Sequence, residues 1–155
     1  MPSENVRSRV RRAIVESLWV MELPGFLKDS IAFRKQGIAA DMVDPAIVVT
    51  KGPITRLRSP AGMRLRTIDA LVSVYWKIDG SGLPDHEDQE GVIETIMAAF
   101  DLPPEMPAPL TAIVPEAQEI RVTNRDEFLE TAFPYKADVH RFMVSVEVCQ
   151  AAGVA

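Results

Sequence analysis

Residues 63–79 read MRLRTIDALVSVYWKID, and the alternation within them decides the fold. Ile68, Ala70, Val72, Val74, Trp76 and Ile78 place an apolar side chain at every second position. Asp69, Ser73, Tyr75, Lys77 and Asp79 take the alternate positions, with Leu71 as the one exception. Successive side chains of a strand point to opposite faces, so the pattern predicts one buried face and one wetted face. That suits an antiparallel sheet covered on one side, because strands buried on both faces read as unbroken apolar runs. At about 3.3 Å per residue the strand reaches roughly 50 Å, longer than most. Its 63–67 portion is therefore expected to project past the core as half of a hairpin.

Upstream, Ser59-Pro60-Ala61-Gly62 is a turn signal, so 54–58 pairs back onto 63–66. Gly52-Pro53 marks a bend, and before it a strand over 46–51 has Ile47, Val48 and Val49 at its centre. Residues 23–44 carry Phe26, Leu27, Ile31, Phe33, Ile38 and Met42 without a period. The expectation is a partly ordered arm packed on the sheet or on a neighbour. Val6, Val10, Ala13, Ile14, Ser17, Leu18 and Met21 form the stripe of an opening amphipathic helix over 6–21, capped by Ser3 and ended by Pro24-Gly25. Arg7, Arg9, Arg11 and Arg12 spread around its polar faces and are read as solvated.

Downstream, the long strand stops at Asp79-Gly80-Ser81-Gly82. A second helix is predicted over 87–101, capped by Asp85 or Asp88, with Val92, Ile93, Ile96, Met97 and Phe100 as its buried stripe. The prolines of 102–109 predict a stiff extended connector. Strand segments are expected over 111–114 and 118–123, broken at Pro115, and a short helix over 125–133. In a last strand over 139–149, Phe142, Val144, Val146 and Val148 face in, while Arg141, Met143, Ser145 and Glu147 face out. The sum is one two-layer α+β domain over 1–155. It has a mostly antiparallel sheet of about four to five strands, two main helices on one face and a protruding hairpin.

A chain of 155 residues suits a single domain with its own core. The formal net charge of −5 argues against a general nucleic-acid binder. Cys149 is the only cysteine, which excludes an intrachain disulfide and a Cys-rich metal site. Glu16 interrupts the apolar run that follows the arginines, against a signal peptide, and no apolar stretch approaches the roughly 18 residues of a membrane span. The expectation is a soluble intracellular product.

Asp85-His86-Glu87-Asp88-Gln89-Glu90 is the one cluster with acid–base or metal-ligating chemistry, and His86 and Glu90 stand at helical ligand spacing. The plainer reading is the acidic, solvated start of a helix. His140 joins His86 only if the fold brings the two together, and is read as a hydrogen-bonded structural residue. Ser145 and Cys149 lie on a strand with no nucleophile elbow and no identifiable base. Phosphate-loop and dinucleotide glycine patterns do not occur. Trp19 and Trp76 fall on apolar faces and are assigned to the core. No catalytic residue, cofactor or metal is expected. The charge distribution is less bland: Lys51, Arg56, Arg58, Arg64 and Arg66 give 51–66 five positive charges and no acid, whereas 79–130 holds thirteen acidic residues against Arg121 and Arg125. That separation suggests complementary surfaces, with Lys51, Ile54, Arg56, Leu57, Arg58, Met63, Arg64 and Arg66 as the expected subunit interface.

The order of elements resembles the tail terminator proteins of long-tailed bacteriophages, also called minor tail or tail completion proteins. The opening helix 6–21, the strand start Asp44-Pro45-Ala46-Ile47-Val48-Val49, the long strand 66–78, the helix 87–101 and the closing strand 139–149 carry it. The resemblance implies a non-enzymatic virion protein of the tail or neck. Such subunits form a ring, typically a hexamer, that ends tube polymerisation and presents the head-joining surface. Its partners would be further copies of itself, the tail tube protein and the head–tail connector, with DNA passing through unread and no membrane involved. The 23–44 segment departs from a minimal version of the pattern. The alternatives are another neck or tail part, such as a connector or tube subunit, or a small metal-dependent hydrolase using His86, Glu87, Asp88 and Glu90.

Overall fold

The computed structural model describes residues 5–34, 44–52, 56–58, 63–78, 84–101, 106–131 and 136–151. In chain order these form α1 (Val6–Val20), a 3₁₀ turn (Lys28–Ser30), β1 (Ile31–Phe33), β2 (Ala46–Lys51), β3 (Arg56–Arg58) and β4 (Met63–Lys77). After them come α2 (His86–Phe100), α3 (Ala108–Ile113), β5 (Ala117–Glu130) and β6 (Ala137–Ala151). The strands make one six-stranded sheet ordered β1-β2-β4-β6-β5, with β3 pairing β4 beside β2. All pairings are antiparallel except β1 with β2. The α+β class stands, β3 pairs with β4 as the expected hairpin, and β1 joins the sheet as a strand that was not expected.

β4 and β6 pair along their whole length, from Met63↔Ala151 to Lys77↔Ala137. β2 takes the other edge of β4 at 70–75, and β3 takes the same edge at 65–67. The hairpin is thus an extension of the central strand beyond β2, as the alternation in 63–79 requires. Gly52 marks the changeover, where its N–H donates to the Asp69 carbonyl at 3.1 Å. A Cβ there would overlap the Asp69 backbone, so only glycine permits this approach.

One sheet face carries the main core. Ile68, Ala70, Val72, Val74 and Trp76 of β4 and Phe142, Val144, Val146 and Val148 of β6 are buried in it. Above them lie Val10, Ile14 and Leu18 of α1, Ile93, Ile96 and Phe100 of α2, and Leu110 of α3. α1 packs on β1, β2, β4 and α3, while α2 runs over β5.

Several local expectations are corrected. Asn5, not Ser3, caps α1, its side chain accepting from the Ser8 N–H at 2.9 Å; Ser3 lies outside the described residues. Of the two caps expected for α2, Asp85 takes the position. The arm forms a parallel edge strand, docked where the Trp19 indole donates to the Ile31 carbonyl at 3.0 Å and the Arg34 N–H to Val49 at 3.0 Å; residues 35–43 are not described. Residues 111–114 belong to helix α3 and its cap instead of a strand. Prolines in a first helical turn lose no intrahelical bond, so Pro107 and Pro109 start this helix rather than prevent it. Two of the α1 arginines are engaged within the chain, where Arg9 forks onto Glu116 and Arg11 stacks over the Phe33 ring at 4.5 Å, while Arg12 is exposed as expected and pairs with Glu16 one turn on. The Arg9 guanidinium holds the Glu116 carboxyl below its ordinary range, mainly through that hydrogen bond.

The outer sheet face is drier than the alternation implies. Asp69, Ser73, Tyr75 and Met143 are each less than a tenth exposed. A strand flanked on both edges is shielded by its neighbours, and here Ala46, Val48, Tyr75, Ala137 and Val139 make a second small cluster with Phe128 against it. Asp69 is satisfied by its cross-strand partner, whose Ser145 hydroxyl donates to Oδ1 at 2.6 Å.

The largest correction concerns 125–133, expected as a helix: β5 continues through to Glu130. Thr123 pairs Met143 and Asp126 pairs Arg141, so three steps on β5 match two on β6. Asn124 occupies the irregularity at φ 55, a left-handed backbone that asparagine tolerates. This β-bulge inserts one residue and exchanges the faces of everything after it.

Two stability outcomes follow. Val74→Asp or Val144→Asp buries a charge at a fully enclosed position, and should cost several kcal/mol, comparable to a domain's whole stability. Thermal unfolding of either variant at the parent's midpoint would show the inward faces to be misassigned. Gly52→Ala should cost roughly 1–3 kcal/mol in denaturant titration, from the collision with Asp69.

Candidate functional site

The bulge determines which β5 side chains meet α2. After it, Glu127 stands directly opposite His140 of β6, on the helix-covered face, and Phe128 opposite Val139 on the outer face. Without the extra residue Glu127 would point away from α2. Both ends of α2 are tied to β5. At one end Asp101 Oδ1 accepts from the Val122 N–H at 3.2 Å, and at the other His86 and Glu90 reach Glu127 and Arg125.

The cluster has an exposed tier and a buried one. In the exposed tier His86 Nε2 lies 3.4 Å from Glu90 Oε1, and His86 Nδ1 lies 3.5 Å from Glu127 Oε1. Arg125 donates towards Glu90 Oε1 at 3.0 Å. His86, Glu90 and Glu127 each offer one ligand atom within 4.8 Å of the others. Beneath them His140 is fully buried, its ring 6.4 Å from that of His86 and edge-on to Trp76 at 5.6 Å. His140 Nε2 is 3.0 Å from Gln89 Oε1, and Gln89 Nε2 donates to the Pro84 carbonyl at 3.1 Å. An amide oxygen only accepts, so Nε2 carries the proton and Nδ1 is left as a lone pair without a partner among the described residues. Burial pushes the imidazole pKa down, against the nearby carboxylates of Glu127, Glu90 and Asp138, which favours this neutral form.

The fold thus brings His86, Glu90 and His140 together, which the sequence left open, and adds Glu127 and Arg125, which it missed. Those two lay in the segment read as a helix, and Asn124 was the one residue able to signal otherwise. Glu87 and Asp88 are exposed on the first turn of α2 and lie outside the three-residue ligand group. Ser145 is bound to Asp69, and Cys149 is half-buried on β6. Trp76 is core; Trp19 is partly exposed, with the Lys28 ammonium 4.5 Å over its ring.

Of the expected interface residues, those of β3 and of the start of β4 fall at the opposite end of the β4–β6 ladder, whereas Lys51 pairs with Ala70 at its middle and lines a cavity with Arg125 and Asp126. Lys51 ends β2, exposed; Arg56, Leu57 and Arg58 make β3; Met63, Arg64 and Arg66 begin β4. Ile54 lies outside the described residues. No helix among the described residues is long and apolar enough to cross a membrane. Neither a protein-family model nor a curated protein matches the chain.

The Gln89–His140 bond joins α2 to β6 inside the core. Gln89→Met should strand the His140 N–H and cost about 1–3 kcal/mol. Combining it with His140→Leu should cost less than the two single changes summed, because both buried polar partners are then gone. Denaturant unfolding of the three variants closes that cycle.

Proposed function

We propose that the chain is a structural ring subunit of the tail-terminator kind, closing the end of a phage tail tube and offering the surface that meets the head. The observation that carries this reading is the placement of charge along the central ladder. Cationic positions of β3 and of the start of β4 lie at one end. The acidic start of α2 and end of β5, with Glu87, Asp88, Asp126, Glu127 and Glu130, lie at the other. From Arg66 to Lys77 the separation is roughly 35 Å at about 3.3 Å per residue. A cationic hairpin and an acidic α2 start on one subunit favour contact between different faces of successive copies, and such contacts repeat until a ring closes.

Exposed ion pairs contribute only about 0–1 kcal/mol each, so charge would select the orientation rather than hold the ring. The hairpin sequence also supplies Ile54, Leu57, Met63 and Leu65 as apolar anchors. The β5 edge carries Glu119, Arg121, Asp126 and Glu127, a charged row that discourages strand addition there. The hairpin is therefore the end that engages a neighbour. The partners in this reading are further copies of the chain, the tube protein and the connector.

Sedimentation velocity tests it. The parent should sediment well above its 17.1 kDa monomer mass. Changing Arg56, Arg58, Arg64 and Arg66 together to Glu should shift it towards monomer with an unchanged circular dichroism spectrum. A monomeric parent at high concentration would remove the ring reading, and an unchanged oligomer in the variant would remove the hairpin from the contact.

A further inference from the structure

We infer that His86, Glu90 and Glu127 form a divalent-cation site of zinc-like preference that clamps the start of α2 to β5. It stands independently of the ring reading. Three observations carry it.

The first is spacing. The two contacts of His86 with the carboxylates, 3.4 and 3.5 Å, are longer than the 2.7–3.2 Å of N–H···O hydrogen bonds. The Nε2–Glu90 distance matches the separation of ligand atoms around a tetrahedral zinc ion. With bonds of about 2.0–2.2 Å that separation is roughly 3.3–3.6 Å. One imidazole gives an ion a single nitrogen. Binding through Nε2 therefore keeps the Glu90 contact and asks the half-exposed Glu127 carboxylate to turn about its own stem. All three ligand atoms are within 4.8 Å of one another before any such turn.

The second is support. Arg125 donates to Glu90 Oε1 at 3.0 Å, the same oxygen that faces His86, so it fixes the carboxylate and an ion would share that oxygen with the guanidinium or take Oε2. His140 is wholly enclosed behind Glu127, with Nε2 3.9 Å from Glu127 Oε1, but its proton goes to Gln89, so it borders that carboxylate without hydrogen bonding it. Ligating carboxylates ordinarily have a hydrogen-bonding partner behind them, and here Arg125 supplies one for Glu90.

The third is the donor set. One imidazole with two carboxylates suits zinc and its neighbours, whereas calcium and magnesium prefer oxygen alone. Glu87 and Asp88 on the same turn add negative charge that draws a cation in. The ligands come from α2 and β5, so a bound ion would act as a cross-link between the two elements. Its fourth position faces solvent, since the His86 side chain is 65% exposed.

The test uses the full chain stripped with chelator, then titrated with zinc by calorimetry and followed by thermal unfolding. One ion per chain and a raised unfolding midpoint are expected, with magnesium producing neither. Supporting groups alone are worth about 10–100-fold in metal affinity, so loss of a direct ligand in His86→Ala or Glu127→Gln should weaken zinc binding by at least about tenfold. Glu94→Gln, an exposed acid on the same helix, should change nothing. All three variants alter exposed or half-exposed side chains, and circular dichroism checks that they fold. Absence of one-to-one binding, or binding that Glu127→Gln leaves intact, would overturn the inference.

Discussion

The unbroken pairing of β4 with β6 is the constraint on which everything else rests. Each strand is fifteen residues long, and every residue of one faces a residue of the other. Side chains on such a pair alternate with a fixed period of two, so a slip by one would exchange the core face with the outer face along the full length. The apolar sets Ile68–Trp76 and Phe142–Val148 therefore lock each other's register. The floor they make together receives α1 and α2. Polar pairs reinforce the same register from the outer side, where Ser145 meets Asp69.

β5 breaks that periodicity twice, between Ala117 and Glu119 and again at Asn124, and the chemistry of the molecule follows from the second break. Up to Val122, β5 sends its apolar side chains towards the helices. Beyond Asn124 the faces are exchanged, which lifts Phe128 onto the outer cluster and brings Glu127 under α2 opposite His140. A helix whose first turn is acidic is thereby set against a strand end that offers both Arg125 and Glu127. Charge at this end is organised into named contacts: Arg125 to Glu90, and His86 between two carboxylates.

Much of this architecture was legible because long elements write strong periods. The alternation in 63–79 and in 139–149 located both central strands, and the three- and four-residue spacing located α1 and α2. What escaped reading was set by tertiary context. Phe128 and Leu129 adjoin among polar neighbours, which fits neither period, and only pairing with β6 makes that segment a strand. The prolines of α3 look like breakers unless one knows that they sit in its first turn, where a missing N–H costs nothing. Asp69 and Ser73 read as wetted because alternation reports which face a residue takes, not whether that face is dry. The His86–Glu90 spacing was visible, but its third member came from a distant strand through a bulge that a single asparagine scarcely announces.

The strand order also fixes when the chain can fold. β6 comes last in the chain, yet it lies between β4 and β5, neither of which touches the other. Until β6 is in place, β4 has one long bare edge, β5 has no partner, and the apolar stripes of both helices have only half a surface to rest on. The β5–β6 and β3–β4 pairings are local, but the long β4–β6 pairing spans the whole of α2, α3 and β5, and such remote pairing slows folding. An emerging polypeptide of this kind exposes extended, alternating strands for the whole of its synthesis, which is the situation in which edges pair with the wrong chain. Charges along the hairpin sequence and along β5 are of the kind that disfavours such wrong pairing while the keystone strand is still being made.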